Sequence, residues 1–150
     1  MSARILIIED NPTNLELMRY LLETFGHTVV AACDGSAGLA LARTEAPDLI
    51  ICDIHLPKLD GFAVIASLKE CIGTRRLPVI AVTAQAMVGD RDKLIEAGFD
   101  GYLCKPIEPE FFVKQVDAFL PAQLRSAKPL PSVSEFEQAA GSRSAQSLQN

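Results

Sequence analysis

The chain lacks any apolar run approaching the ~20 residues that span a bilayer. It also lacks an excess of basic charge: 14 lysines and arginines stand against 19 aspartates and glutamates, for a net charge of -5. That balance builds no electrostatic footprint for nucleic acid. Four cysteines, Cys33, Cys52, Cys71 and Cys104, form no C-x-x-C pair and no Cys/His cluster with zinc spacing. Cys52 and Cys104 lie in apolar runs and read as small buried hydrophobes of a reducing compartment. Met1 to Arg4 lead into a short apolar stretch that turns acidic at Glu9, too short and too soon charged for a secretory signal. A cytoplasmic protein is the expectation, bound neither to nucleic acid nor to a membrane. No internal repeat exists beyond an alternation of strand and helix patterns.

What is present is an ordinary globular balance, 49% hydrophobic and 22% charged over 150 residues. That length suits one domain with a self-sufficient core. Ile5 to Ile8 is a continuous apolar run, the mark of a strand buried on both faces. Asn11-Pro12-Thr13 supplies a helix start, Leu15, Met18, Leu22 and Phe25 recur at helical spacing, and Gly26 marks the stop. Further strands are expected at Thr28–Ala32, Leu49–Asp53, Pro78–Thr83 and Tyr102–Cys104. The helices between and after them are expected at 36–44, 59–71 (with Phe62, Ile65 and Leu68 as apolar faces), 90–97 and 108–120. Strand and helix in strict alternation imply an α/β, doubly wound, flavodoxin-like (βα)5 parallel sheet, with 2-1-3-4-5 as a common strand order. The domain is expected over 1–120. Residues 121–150, rich in Ser, Ala, Gln and Pro, read as a mostly disordered tail.

Four of the five strands end in a polar residue: Glu9-Asp10, Asp53, Thr83 and Lys105. Singly, such residues are caps, turn formers or β-formers. Jointly, they fall where open α/β sheets bind ligands, outside the carboxyl ends of the strands. Neighbouring strands lie ~4.8 Å apart, so Asp10 and Asp53 can converge in one acidic crevice. Strict alternation would turn Glu9 away from Asp10, and a turn beginning there would bring it back. Clustered carboxylates suit Mg²⁺, a hard cation that takes oxygen ligands and keeps several waters. Lys105 and Thr83 are the types that would pair with and donate to a phosphoryl group, with Asp53 as a carboxylate nucleophile.

These residues carry a resemblance. The chain resembles a response regulator receiver domain of two-component signalling, the single-domain type similar to receivers of cell-cycle regulators and hybrid sensor kinases. The matching stretches are Ile8-Glu9-Asp10-Asn11, the run from Asp53 to Gly61, Thr83-Ala84 and Lys105-Pro106-Ile107. They occur in family order, and the resemblance covers about residues 4–120. The resemblance implies that Asp53 is the phosphoacceptor in a phosphorelay. Asp10 and Asp53 would ligate Mg²⁺ directly, Glu9 through water, and the backbone carbonyl of His55 would complete the set. Lys105 would contact the phosphoryl group, and Thr83 would couple to Tyr102, whose ring turns inward. The Lys105–Pro106 bond would be cis, the His55 side chain would face solvent, and residues 88–119 would form the readout face. Expected partners are a histidine kinase or histidine phosphotransfer protein as donor and a downstream protein target, with a homodimer left open. No turnover beyond the chain's own phosphorylation and dephosphorylation is expected. An aspartyl-nucleophile phosphatase would carry a second carboxylate where His55 stands. A flavin binder would need a Ser-, Thr- or Gly-rich loop where Glu9-Asp10 stands.

Overall fold

The computed structural model describes residues 2–84 and 88–125. Five parallel strands, β1 (Arg4–Ile8), β2 (Thr28–Ala32), β3 (Leu49–Asp53), β4 (Val79–Thr83) and β5 (Gly101–Cys104), form one sheet in the order 2-1-3-4-5. The helices that follow them are α1 (Pro12–Thr24), α2 (Gly35–Thr44), α3 (Gly61–Glu70), α4 (Val88–Ala97) and α5 (Pro109–Asp117). The expected strand order and doubly wound architecture are therefore borne out.

Side chains on a strand alternate between faces, and here that alternation builds two cores. Ile5, Ile7, Ile51, Val82 and Leu103 face α1 and α5, meeting Met18, Leu22, Phe112 and Val116. Leu6, Ile8, Ile50, Cys52 and Ala81 face α2, α3 and α4, meeting Val64, Leu68 and Leu94. The register pairs Ile7 with Ile51 and Ile8 with Cys52, so the carboxyl ends of β1 and β3 finish side by side.

Helix boundaries follow local capping. Asn11 accepts from the Asn14 N–H at 3.1 Å, with Pro12 opening the helix. Asp60 accepts from the Ala63 N–H at 2.9 Å, which starts α3 at Gly61 rather than at Leu59. Gly26 and Gly98, at φ 95° and 114°, make the left-handed exits of α1 and α4. α5 is shorter than the 108–120 expected, and a 3₁₀ turn at Ala122–Leu124 follows it. Residues 126–150, the bulk of the expected tail, lie outside the described residues.

Two burial expectations are corrected. Phe62 is exposed, because the buried stripe of α3 is Gly61, Val64, Ile65 and Leu68. Its ring instead meets Phe99 edge-on at 6.2 Å. Cys104 is exposed as well. It is the last residue of an edge strand whose burial runs buried, half-buried, buried, exposed. All four cysteines are free, and Cys52 is buried as expected. Among the described residues no helix is long and apolar enough to cross a membrane.

Candidate functional site

The alternation that divides the cores also sorts the charged strand ends. Glu9, Asp53 and Lys105 continue the odd-numbered rows that bury Ile7, Ile51 and Leu103 against α1 and α5. Asp10 continues the even row of Ile8. Glu9 is 1% exposed and Asp53 2% exposed, while Asp10 is exposed. Glu9 reaches Lys105 from its buried position, and one of its carboxylate oxygens nevertheless lies within 4.8 Å of one from Asp10.

The Lys105 ammonium donates to Asp53 Oδ2 at 2.7 Å and lies 3.1 Å from Glu9 Oε1. The His55 N–H donates to Asp53 Oδ1 at 2.8 Å, and the Asn11 N–H donates to Glu9 Oε2 at 3.4 Å. Lys105 follows β5, where its N–H donates to the Thr83 carbonyl at 2.8 Å and a cis bond leads to Pro106. Thr83 closes β4 and is buried. The His55 side chain is exposed, as the sequence predicts.

The electrostatics are unbalanced. Burial, followed by hydrogen bonding with and repulsion from Asp53, pushes the Glu9 carboxyl up to about 7 against the pull of Lys105. Burial also opposes ionisation of Asp53. Hydrogen bonds from Glu9, Lys105 and the His55 N–H outweigh it and hold that carboxyl below its ordinary value. Lys105 is shifted upward: burial works against its charge, and the two carboxylates more than compensate.

One carboxylate oxygen from each of Glu9, Asp10 and Asp53 lies within 4.8 Å of the others. Glu9 Oε1 is buried and accepts no well-aligned hydrogen bond, despite the ammonium nearby. A buried anionic oxygen short of donors, beside an exposed carboxylate, fits a hard divalent cation.

Gly61 allows the close approach of α3 to this site. A Cβ there would lie 2.7 Å from the Asp53 carbonyl oxygen and 2.8 Å from Ile54 Cα. Tyr102 is half-buried on β5, and its ring sits beneath Arg91 of α4, whose Cζ is 5.5 Å from the ring centroid. The sequence reading did not find Arg91, the Asn11 N–H or the His55 N–H. The two backbone donors carry no side-chain signal, and Arg91 reads as an ordinary solvated helix charge. Gln85, two residues past Thr83, lies outside the described residues.

The chain is similar to known proteins. Residues 5–117 match the family described as the response regulator receiver domain. The polar-differentiation response regulator DivK of Brucella abortus (strain 2308) is 39% identical over 120 residues, 80% of this chain and 98% of that one. Among solved structures, the receiver domain of sensor histidine kinase PA1611 from Pseudomonas aeruginosa PAO1 superposes with a TM-score of 0.73. It is 32% identical over 79% of this chain and 98% of that one, and it carries a magnesium ion coordinated in its active site cleft. The chemotaxis protein CheY4 of Vibrio cholerae, 25% identical over 80% of this chain and all of that one, superposes with a TM-score of 0.76. With the parallel 2-1-3-4-5 sheet and the acid cluster at its carboxyl edge, this chain belongs to the response regulator receiver domain family of two-component signalling.

Proposed function

We propose that the chain is a phosphorylation-dependent switch whose Asp53 accepts a phosphoryl group from a phosphohistidine donor. The observation that carries this reading is the placement of Asp53 beside one ammonium, at 2.7 Å, and beside two further carboxylates clustered within 4.8 Å. A carboxylate oxygen of Asp53 attacks phosphorus, the P–N bond of the donor breaks, and the imidazole leaves with a proton. The donor is a histidine kinase or a histidine phosphotransfer protein.

Glu9, Asp10, Asp53 and the backbone carbonyl of His55 would hold Mg²⁺, which supplies charge neutralisation for the incoming phosphoryl oxygens. The chain's own residues do the rest. Lys105, now paired with Asp53, is placed to take a phosphoryl oxygen as its new partner. The His55 N–H fixes the rotation of the Asp53 carboxylate. Thr83, buried at the end of β4, supplies a hydroxyl to the same group.

A carboxylate with one charge is thereby replaced by a phosphoryl group carrying about two. The added charge biases Thr83 and Tyr102 toward the site and changes the face formed by residues 88–119. On that face a groove of about 220 Å³ runs past Tyr102, Ile107, Phe111 and Gln115. Moving the Tyr102 ring reshapes one end of this groove, which is how a downstream protein target would read the switch.

Intact mass spectrometry after treatment with acetyl phosphate and Mg²⁺ tests the reading. The wild type gains one phosphoryl group, and Asp53→Asn gains none. A phosphorylated Asp53→Asn protein would refute the assignment.

A further inference from the structure

Arg91 stands in the second turn of α4, exposed to solvent. Its guanidinium makes no hydrogen bond or ion pair with a described residue. What it does touch is the face of Tyr102, at 5.5 Å, inside the ~6 Å reach of a cation–π contact. Tyr102 in turn has no hydrogen-bond partner for its hydroxyl among the described residues, although its ring packs partly against the core on the α4 side. The ring is thus held in place by apolar packing below and by one cation above.

Arg91 and Thr83 are joined through the chain. Thr83 closes β4, α4 begins at Val88, and Arg91 follows within that helix's first turns. A ring that turns inward must leave the guanidinium; a guanidinium drawn away releases the ring.

We propose that Arg91 is a positioning residue, a latch that holds Tyr102 in its present place and sets the resting bias of the switch. The inference rests on the switch reading given above. Phosphorylation then has two tasks at this face: to attract the inward state and to break the Arg91–Tyr102 contact. Removing the latch leaves only the first. At the strength of an exposed cation–π contact, its loss raises the ratio of inward to outward ring about two- to fivefold.

The chain has two tyrosines and no tryptophan, so fluorotyrosine labelling of the full chain gives two ¹⁹F resonances. Tyr102→Phe assigns them, and Tyr20 on α1 is the internal reference. The wild-type Tyr102 resonance moves on addition of acetyl phosphate and Mg²⁺. In unphosphorylated Arg91→Ala it lies part of the way along that path, while Arg91→Lys, which keeps a cation, stays near the wild type. An Arg91→Ala resonance at the resting wild-type position overturns the latch. An Arg91→Lys resonance displaced as far as that of Arg91→Ala also overturns it, because charge is then not what holds the ring. A wild-type resonance that stays still although mass spectrometry shows phosphorylation overturns the Tyr102 switch and the latch together.

Discussion

Replacing Lys105 by methionine removes the one ammonium between Glu9 and Asp53 while keeping much of the stem's volume. The two carboxyls it serves are 1% and 2% exposed. Their oxygens fall within 4.8 Å of each other. At an effective dielectric of about 20, two charges at that separation repel by about 3 kcal/mol. Stripping one partner from a buried ion pair costs ~3–5 kcal/mol in general. Two features reduce the loss here. The Lys105 side chain is itself 22% exposed, so water reaches the pair. Glu9, already pushed up to about 7, can also take a proton and relieve the repulsion. The expected net destabilisation is therefore about 2 kcal/mol, read by urea denaturation in EDTA at neutral pH. The double variant Lys105→Met/Asp53→Asn should regain most of it, because one of the opposed charges is gone. Mg²⁺ should stabilise Lys105→Met more than the wild type, since a cation then meets two carboxylates with no competing ammonium. A Lys105→Met stability within about 0.5 kcal/mol of the wild type in EDTA, the scatter of an ordinary surface substitution, would refute the carboxylate repulsion. A double variant less stable than Lys105→Met would refute it equally.

Gly61→Ala places a methyl 2.7 Å from the Asp53 carbonyl oxygen; a stability loss of about 1–3 kcal/mol and slower phosphorylation by acetyl phosphate are expected, and a rate equal to that of the wild type would dismiss the close approach as a constraint on the site. His27 accepts from the Ala3 N–H at Nδ1 (3.2 Å) and therefore donates from Nε2 to the buried Asp117 carboxylate (3.0 Å). His27→Phe removes both contacts and should lower stability by about 2–3 kcal/mol in denaturant titration, without changing phosphorylation at the opposite edge of the sheet. The Cys71 thiol is lowered by the Gly73 N–H, then by Thr74, with Arg43 adding to it, whereas burial pushes the Cys52 thiol far up. Iodoacetamide at neutral pH should label Cys71 ahead of Cys33 and Cys104 and leave Cys52 untouched in the folded protein, as peptide mass mapping would record.

Legibility in the sequence tracked physical cause. β1 and β3 were readable because apolar runs this short, bounded by polar residues, suit strands covered on both faces. The start of α1 was readable because Asn11 and Pro12 each satisfy a definite need of a helix N-terminus. The shared placement of the candidate residues was readable as a set of strand ends, since a parallel sheet brings Glu9, Asp53, Thr83 and Lys105 to one edge whatever the details. Side-chain burial at the margins was not. Phe62 and Cys104 sit at the edges of what neighbouring elements cover, and coverage is a property of packing between segments far apart in the chain. α3 starts two residues later than its apolar pattern, because the Asp60 side chain caps the helix at Gly61. Backbone donors such as the His55 N–H depend on how the chain turns after β3, and residue types alone do not encode that turn.

The position of Glu9 shows why parity matters more than proximity. Asp10 is its neighbour in sequence, yet Glu9 shares a buried row with Asp53 and Lys105 while Asp10 stands exposed at the rim. Two acids are thereby placed inside and one outside, with a single ammonium between the inner pair. That arrangement is costly for the fold, as the upward shift of Glu9 records. It also concentrates the cost at one spot, where a cation entering past Asp10 would meet under-satisfied oxygen and where a phosphoryl group on Asp53 would draw away the shared ammonium. A fully satisfied cluster would leave such ligands little to gain, because an equilibrium shifts only by the difference in free energy with which its two states bind. On the proposed switch reading, the imbalance at the edge of β1, β3 and β5 is what would allow a small ligand to act on Thr83, α4 and Tyr102, elements otherwise held against two well-packed cores.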